Sequence, residues 1–402
     1  MTSFPKELTD KFTNTPTPFY YYDLELLDST LRSMNKEAGR YGYVVHYALK
    51  ANADRTILDR IMASGLGADC VSGNEVTRAA ESGFASDRIV FAGVGKSDEE
   101  ILTGLENNIH SFNCESIQEL KVIDELAGAT NKIAPVALRL NPNVSANTHK
   151  YITTGLEENK FGINQWELET IIEKLKTLRN IRLIGLHFHI GSQITDLTAF
   201  KSLCIKINEF QQWFRMHRIE IPNLNVGGGL GIDYHEPDKH SIVDFASFFR
   251  LFHDFLDVYP GQKVHFELGR AVVAQCGTLI SKVLYIKNGV NTNFMILDAG
   301  MTELIRPALY QAYHKIENIS NSGGESERYD VVGPICESSD CFGKAQLLPV
   351  TKRGDLIAIR STGAYGEVMS SNYNLREKVK AYYSSDFLSS SKKEKPLSSS
   401  EY

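Results

Sequence analysis

Short apolar runs rich in β-branched and aromatic residues alternate with longer amphipathic segments over roughly the first two thirds of the chain. The apolar runs predict eight strands: Tyr43–Lys50, Gly67–Ser72, Arg88–Gly93, Ile109–Cys114, Pro135–Asn141, Ile181–His189, Leu224–Gly229 and Lys263–Gly269. Strands that alternate with helical segments are typical of a parallel α/β fold, and eight of them indicate a closed (β/α)8 barrel of the TIM type.

The segments between these strands have the spacing of helices. The predicted helices are Asp54–Ser64, Asn74–Ser82, Ser97–Asn107, Ser116–Ala127, Gln165–Thr177, Leu197–Met216 and Ser241–Val258. Small polar residues favour the N-cap position, so we expect Asn74 and Ser97 to cap their helices.

The pattern changes after about Ala271. There the chain carries β-rich stretches separated by Gly, Asn and Ser clusters: Gly277–Lys287, Thr292–Asp298, Glu327–Val332 and Asp355–Arg360. These stretches predict a second, all-β domain. A chain of 402 residues also exceeds the size at which one core usually stops growing. We therefore expect a barrel over 20–270, a β-domain from 1–19 and 271–385, and a flexible Ser-, Lys- and Glu-rich tail over 386–402.

Composition narrows the functional classes. The net charge of −6 gives no electrostatic reason to expect nucleic acid or anionic lipid as a partner. We find neither a basic, apolar leader nor about 18 consecutive apolar residues, so the expected location is the cytoplasm, away from membranes. The six cysteines lack CxxC spacing, which predicts free thiols and no metal: Cys70, Cys114, Cys204, Cys276, Cys336 and Cys341.

In such barrels, functional side chains gather at the carboxyl ends of the strands. The first predicted strand ends in Tyr-Ala-Leu-Lys-Ala-Asn, and its apolar run would desolvate Lys50 and lower its pKa. Lys50 is therefore a candidate for a covalent bond to a carbonyl compound. A lysine at a strand end is more often a solvated surface charge, so Lys50 carries weight only together with other residues.

Three further strand ends carry candidate chemistry. The sixth ends in His-Phe-His-Ile-Gly-Ser-Gln, where His187 and His189 should face one side; one could contact a ligand, or both could simply be hydrogen-bonded in the barrel. The seventh runs into the glycine-rich turn 227–231, whose N–H groups could cradle a phosphate. The eighth holds Glu267 within an apolar stretch, where a carboxylate needs a cation such as a protonated pyridine ring.

At these residues the sequence resembles the fold-type III (alanine racemase-like) PLP-dependent decarboxylases, from about Phe19 to Lys378. The resemblance implies pyridoxal 5′-phosphate as cofactor, bound covalently through Lys50 and contacted by eight other residues. The cofactor-binding residues so implied are Lys50, His189, Ser192, Gly228, Gly229, Glu267, Gly269, Arg270 and Tyr365. The family usually has proline where this chain has Leu268, which puts the local turn geometry in doubt more than the chemistry.

Two other motifs bear on the substrate: the stretch around Arg306 and Tyr310, and Gly-Pro-Ile-Cys-Glu-Ser-Ser-Asp. Their resemblance implies a substrate with two amino-acid ends, meso-2,6-diaminopimelate, with L-lysine as product. The implied substrate-binding residues are Arg270, Arg306, Tyr310, Glu337 and Tyr365. Cys336 is implied to supply a proton across the interface of a homodimer with shared active sites.

Three alternatives remain open at this point. One is a related decarboxylase that acts on carboxynorspermidine, arginine or ornithine, against which the segments around Arg306 and Cys336 count. A second is a regulatory homologue that lacks the cofactor, although Lys50 and Glu267 are retained. A third is a metal-dependent barrel hydrolase that uses His187 and His189, for which the chain offers no further ligand motif at matching spacing.

Overall fold

The structure is a computed structural model that describes residues 4–144 and 160–387. Its strands are β1 Phe19–Tyr22, β2 Val44–Ala48, β3 Gly67–Cys70, β4 Ile89–Phe91, β5 Ser111–Cys114, β6 Ala134–Arg139, β7 Ile181–His187, β8 Asn223–Asn225, β9 Lys263–Leu268, β10 Gly277–Asn288, β11 Asn293–Leu297, β12 Ile316–Asn318, β13 Ser326–Val332, β14 Cys341–Pro349, β15 Leu356–Ile359 and β16 Lys380–Tyr383. Its α-helices are α1 Lys6–Thr13, α2 Leu24–Gly39, α3 Arg55–Ala63, α4 Gly73–Glu81, α5 Asp98–Glu106, α6 Ile117–Ala129, α7 Leu168–Leu175, α8 Thr198–Met216, α9 Phe245–Phe255, α10 Arg270–Val273 and α11 Arg306–Tyr310.

Strands β2 to β9 form a closed parallel barrel in sequence order, and β9 pairs with β2 to close it. All eight predicted barrel strands are confirmed, with ends that differ by a few residues from the predicted ones. The strands are short and almost wholly buried, because in a closed parallel barrel both faces are covered. Helix α9 covers β9 with an aromatic cluster, in which the rings of Phe249 and Phe252 lie 5.0 and 4.9 Å from that of Phe266.

Serine side chains cap the N-termini of the barrel helices α4 and α5. Ser97 caps α5 as predicted: its hydroxyl accepts the Glu100 N–H, and the Glu100 carboxylate accepts the Ser97 N–H. The prediction for Asn74 was wrong. Ser72 is the cap of α4, and its hydroxyl accepts the N–H of Glu75, so Asn74 lies inside the helix. Ser72 has the extended backbone of an N-cap residue, so the cap lies two residues before the predicted one.

The second compact unit contains Met1–Thr30, Ile232–Val243 and Arg270–Tyr402, and the barrel unit contains Leu31–Gly231 and Asp244–Gly269. The second unit is built on an eight-stranded sheet with the order β12-β15-β10-β11-β13-β14; β1 also pairs with β10, and β16 pairs with β1. Most of its strand pairs are antiparallel, but β11 with β13 and β1 with β16 are parallel. The unit is mostly sheet rather than all-β, because α1, α10 and α11 also belong to it.

Aromatic residues fill one side of this sheet. Phe12 of α1 packs edge-on against Phe19 of β1 at 5.5 Å and against Phe387 at 5.2 Å. Asp386 and Phe387, which the sequence assigned to the tail, therefore end a short 3-10 helix, Ser384–Phe387, and the half-buried ring of Phe387 packs against the core. The rest of the predicted tail lies outside the described residues. Across the described ranges, no helix is both long and apolar enough to span a membrane.

Candidate active site

A cavity of about 430 Å³ lies at the carboxyl ends of the barrel strands, where the sequence predicted the chemistry. Lys50, His189 and Glu267 all line it, and so do Arg139 and His187. Its volume is in the range of small-molecule sites. The fold thus brings the predicted lysine, histidine and glutamate together from strands that are far apart in sequence.

Lys50 lies in a 3-10 turn, Leu49–Ala51, that follows β2 directly. Its side chain is 40% exposed, and Nζ lies 3.7 Å from Oδ2 of the fully buried Asp69 on β3. Burial and the charge of Glu267 raise the pKa of Asp69, whereas the nearby Lys50 ammonium lowers it, and the net shift is upward. The lysine amine is therefore placed at the cavity beside a carboxyl group that is easily protonated.

Glu267 on β9 is buried and accepts three hydrogen bonds. The side-chain amides of Asn113 and Asn225 donate to Oε1 at 3.2 and 2.7 Å, and Nε2 of His187 donates to Oε2 at 2.9 Å. Burial raises the pKa of Glu267, but the contact with His187 and the nearby Lys50 ammonium outweigh burial and lower the pKa well below its usual range. Glu267 is therefore a buried carboxylate that stays ionised.

His187 and His189 differ in their surroundings. His187 ends β7 and is hydrogen-bonded to Glu267, whereas His189 lies in the following loop; both line the cavity. Nδ1 of His189 accepts the backbone N–H of Gly228 at 3.3 Å, so Nε2 carries the proton of the neutral ring. Burial, Lys50 and Arg139 lower its pKa well below 6.5, which keeps the ring uncharged. A flat, neutral ring at the wall of the cavity can stack on a planar ligand.

The turn after β8 needs glycine for packing. A Cβ on Gly228 would lie 1.8 Å from the carbonyl oxygen of Glu267, and Gly229 has a φ of +110°. Any larger residue at these positions would displace the backbone of β9 or strain the turn. Gly269 follows as the last residue of the barrel unit, and Ser192 is half-buried in the loop after β7.

Several site residues were missed by the sequence reasoning. Glu115 holds the Nη1 of Arg139 at 2.7 Å and accepts the N–H groups of Gly93 and Gly162, at 3.2 and 3.0 Å. The Arg139 guanidinium lies 4.8 Å from the ring of Phe161, which also lines the cavity. Glu115 thus ties together the ends of three segments that surround the cavity.

In the second unit, predicted residues gather around Tyr234. Arg270 and Arg306 are both buried, and each donates a hydrogen bond to the Tyr234 hydroxyl. The Arg270 guanidinium also lies 4.9 Å from the ring of Tyr365, which has a left-handed φ of 57°. Arg306 is therefore no surface charge, and Tyr234 is a further residue that the sequence reasoning missed. Tyr310, the last residue of α11, is half-buried.

Cys336 and Glu337 lie exposed on the loop 333–340. Glu337 accepts a hydrogen bond from the hydroxyl of Tyr373 at 2.8 Å. The buried Asp340 holds this loop in place: its carboxylate accepts hydrogen bonds from the backbone N–H groups of Ile335 and Met301, both at 2.7 Å. Cys336 is thus an exposed thiol on an ordered loop.

These features fit pyridoxal phosphate on grounds of their own chemistry. Lys50 offers an amine at the cavity, and Glu267 accepts three hydrogen bonds with room for a fourth donor, such as a pyridinium N–H. Oδ1 of Asp69 and Nδ1 of His187 are buried without a hydrogen-bond partner among the described residues. Buried polar atoms of this kind are typical of a site built for a ligand.

The comparisons with known proteins agree with this site. The family described as "Pyridoxal-dependent decarboxylase, pyridoxal binding domain" matches residues 24–274. The chain therefore belongs to the pyridoxal-dependent decarboxylases.

The relatives define the family more narrowly. The chain is 58% identical to a diaminopimelate decarboxylase of Bacteroides thetaiotaomicron, over 94% of this chain and 98% of that one. It is 40% identical to that of Haemophilus influenzae, over 90% and 87% of the two chains. A crystal structure of the Helicobacter pylori enzyme complexed with L-lysine matches with a TM-score of 0.88 and 38% identity, over 94% and 93%. Within its class, the chain belongs to the diaminopimelate decarboxylases. The hydrolase and the cofactor-free alternatives are thereby overturned.

Proposed function

We propose that the chain decarboxylates meso-2,6-diaminopimelate to L-lysine and carbon dioxide, the last step of lysine biosynthesis, with pyridoxal 5′-phosphate as cofactor. The observation that carries this proposal is the near full-length likeness to diaminopimelate decarboxylases. The convergence of Lys50, Asp69 and Glu267 on one cavity supports it from chemistry alone. The enzyme is a carboxy-lyase.

Each predicted cofactor-binding residue has a proposed role toward the cofactor. Lys50 would hold the cofactor through a covalent bond from its side-chain amine. Glu267 would keep the pyridine nitrogen protonated, and His189 would stack on the ring. Ser192, Gly228, Gly229, Gly269 and Arg270 would bind the phosphate, and Tyr365 would complete the site. When bound, pyridoxal phosphate supplies a sink for the electrons that remain as carbon dioxide leaves.

Substrate binding needs one cation for a carboxylate and one anion for an ammonium at the end of the substrate that does not react. We propose that Arg270 and Arg306 bind this carboxylate, because guanidinium groups form bidentate hydrogen bonds with carboxylates. In the described part of the chain, the Arg306 guanidinium is hydrogen-bonded to Tyr234 and His314 and not to a carboxylate. Glu337 would bind the ammonium group at the same end of the substrate, and Tyr310 and Tyr365 would lie beside the substrate.

Cys336 would deliver a proton from its Sγ to the carbon that has lost its carboxylate. Its exposed position is consistent with action in the active site of a second subunit, and we therefore propose a homodimer with shared sites. We also propose that the enzyme works in the cytoplasm, where lysine is made, and without nucleic acid or membrane as a partner.

A substrate panel tests the function. The purified holoenzyme is given meso-2,6-diaminopimelate, L-ornithine, L-arginine or carboxynorspermidine, and carbon dioxide release is measured for each. We expect kcat/KM for meso-2,6-diaminopimelate to exceed the others by at least a hundredfold, since each would leave a buried charge of the site unpaired. Equal or better turnover of another substrate would overturn the assignment while leaving the decarboxylase class intact.

A further inference from the structure

Two buried cations share one phenol in the second unit. The Tyr234 Oη accepts a hydrogen bond from Nη1 of Arg270 at 2.5 Å and another from Nη1 of Arg306 at 2.9 Å. Both guanidinium groups also lie near the face of the Tyr234 ring, at 5.9 and 5.2 Å from its centre. Tyr234 comes from the segment Ile232–Val243, which the fold places in the same unit as the two arginines.

The hydrogen bonds leave no acceptor for the Tyr234 proton. Both lone pairs of the phenol oxygen are used by the two arginines. The neighbouring His314 cannot help: Nε2 accepts from Nη1 of Arg306 at 2.9 Å, while Nδ1 faces the carbonyl oxygen of Arg360 at 2.8 Å and must donate. Among the described residues, Tyr234 donates no hydrogen bond. The geometry therefore favours a deprotonated oxygen.

The charges around Tyr234 act in the same direction. Burial raises the pKa of the Tyr234 phenol, but Arg270 and Arg306 outweigh burial and lower it below the ordinary value of 10.0. The two like charges also repel each other, and an anion between them offsets this repulsion. Burial and Arg306 hold the pKa of His314 down at about 3, so His314 adds no third positive charge.

We propose that Tyr234 is a positioning residue that, as a phenolate, holds Arg270 and Arg306 together as a single receptor for the carboxylate that remains on the product. This inference rests on the proposed function. Decarboxylation removes one carboxylate of the substrate, and L-lysine keeps the other. A preassembled pair of guanidinium groups binds that carboxylate without first having to overcome their mutual repulsion.

Removal of the phenol oxygen should therefore affect binding and not the bond-breaking step. In Tyr234→Phe, both guanidinium groups lose their shared acceptor and separate, so we expect KM for meso-2,6-diaminopimelate to rise about tenfold or more with kcat within threefold. L-lysine should inhibit the variant at least tenfold more weakly. Inhibition by cadaverine, which has no carboxylate, should change less than twofold.

Tyr285→Phe is the matched control. Tyr285 is exposed and also has an arginine over its ring, Arg353 at 4.9 Å, so this variant removes a phenol beside a guanidinium outside the buried cluster. We expect unchanged constants for all three ligands. Equal weakening of L-lysine and cadaverine by Tyr234→Phe, or a loss confined to kcat, would overturn the positioning role.

A spectrum of the substrate-free holoenzyme tests the phenolate separately. The near-ultraviolet difference between the wild type and Tyr234→Phe at pH 7 should contain the band of ionised tyrosine; a band of protonated tyrosine would overturn the phenolate. If Tyr234→Phe does not retain the cofactor, 3-fluorotyrosine at position 234 gives a fluorine resonance that reports ionisation at pH 7. A wild type that does not decarboxylate meso-2,6-diaminopimelate would instead refute the proposed function. The ultraviolet and fluorine measurements do not depend on turnover, so they would still report whether Tyr234 is ionised.

Discussion

Nε2 of His187 lies 2.9 Å from Oε2 of Glu267 inside the barrel, while two asparagine amides donate to the other carboxylate oxygen. Three donors hold the carboxylate in one orientation at the wall of the cavity. Because a buried carboxylate without partners would be protonated, the contact with His187 and the nearby Lys50 ammonium keep Glu267 charged. The relationship gives Glu267 a definite electrostatic role that can be tested by mutation.

Glu267→Gln should lower kcat on the order of a hundredfold, the usual cost of one preorganised electrostatic contact. The amide has no charge to hold a proton on the pyridine nitrogen, and its NH2 group would face a donor. Cofactor content, measured by absorbance, should stay within twofold because Lys50 is retained. Glu169→Gln, which changes an exposed glutamate on α7, should leave kcat unaltered. Full turnover by Glu267→Gln would contradict the role.

Cys336→Ala should lower kcat at least tenfold and keep the cofactor, because the variant lacks the thiol that would return a proton to the substrate carbon. Cys341→Ala is the matched control: it removes a half-buried thiol five residues away and should leave kcat unchanged. The two variants are compared by stopped assays of L-lysine formation. The same kcat in both variants would remove Cys336 from the mechanism.

Asp340→Asn should lower kcat without loss of cofactor, because it weakens the hydrogen bonds to Ile335 and Met301 that fix the Cys336 loop. We expect roughly a tenfold loss, together with a changed rate of Cys336 alkylation. The control is Asp330→Asn, since Asp330 also accepts a backbone N–H, from Ala345 at 2.7 Å, but on an exposed hairpin. If both variants alkylate at the wild-type rate, Asp340 does not position Cys336.

Stability should fall in acid because of two buried histidines. Nε2 of His46 lies 2.9 Å from Nδ1 of His265, and burial lowers the pKa of His46 from 6.5 to about 4. A depressed folded-state pKa means that the unfolded chain binds the proton first. The contribution of neutral His46 to the free energy of unfolding is therefore complete above pH 6.5. It is lost as the pH falls toward 4, and the loss is roughly 3 kcal/mol.

Urea unfolding at pH 7.5, 5.5 and 4.5 checks this expectation. His46→Gln should flatten the dependence of the free energy of unfolding on pH, whereas His217→Gln, at an exposed position, should leave the slope unchanged. An equal slope in the wild type and in His46→Gln would show that other groups control the acid transition.

The sequence predicted the barrel well because its strands are buried on both faces, and continuous apolar runs such as Arg88–Gly93 reveal them. Strand β14 was not predicted because it is half exposed and carries Gly, Lys and Gln among its apolar residues. Strand β1, with four buried aromatic residues, was missed because it stands alone between α1 and α2 and pairs only with distant strands.

The same reasoning explains which site residues were found. Lys50 and Glu267 stand out because each follows or interrupts an apolar run at a strand end. Asp69, Asn113 and Asn225 also interrupt buried strands, and a search for polar residues inside the predicted strands would have found them. Tyr234 could not be found in this way, because its role depends on two arginines that are 36 and 72 residues away in sequence.

The central claim is that Lys50 holds pyridoxal phosphate in a site that decarboxylates meso-2,6-diaminopimelate. The most direct test is one sample of purified protein whose visible absorbance is recorded before and after borohydride, with a second portion given the substrate. We predict absorbance that borohydride removes, a cofactor adduct on the Lys50 peptide by mass spectrometry, and one L-lysine per carbon dioxide in the untreated portion. An adduct on another lysine, or bound cofactor without L-lysine, would contradict the account.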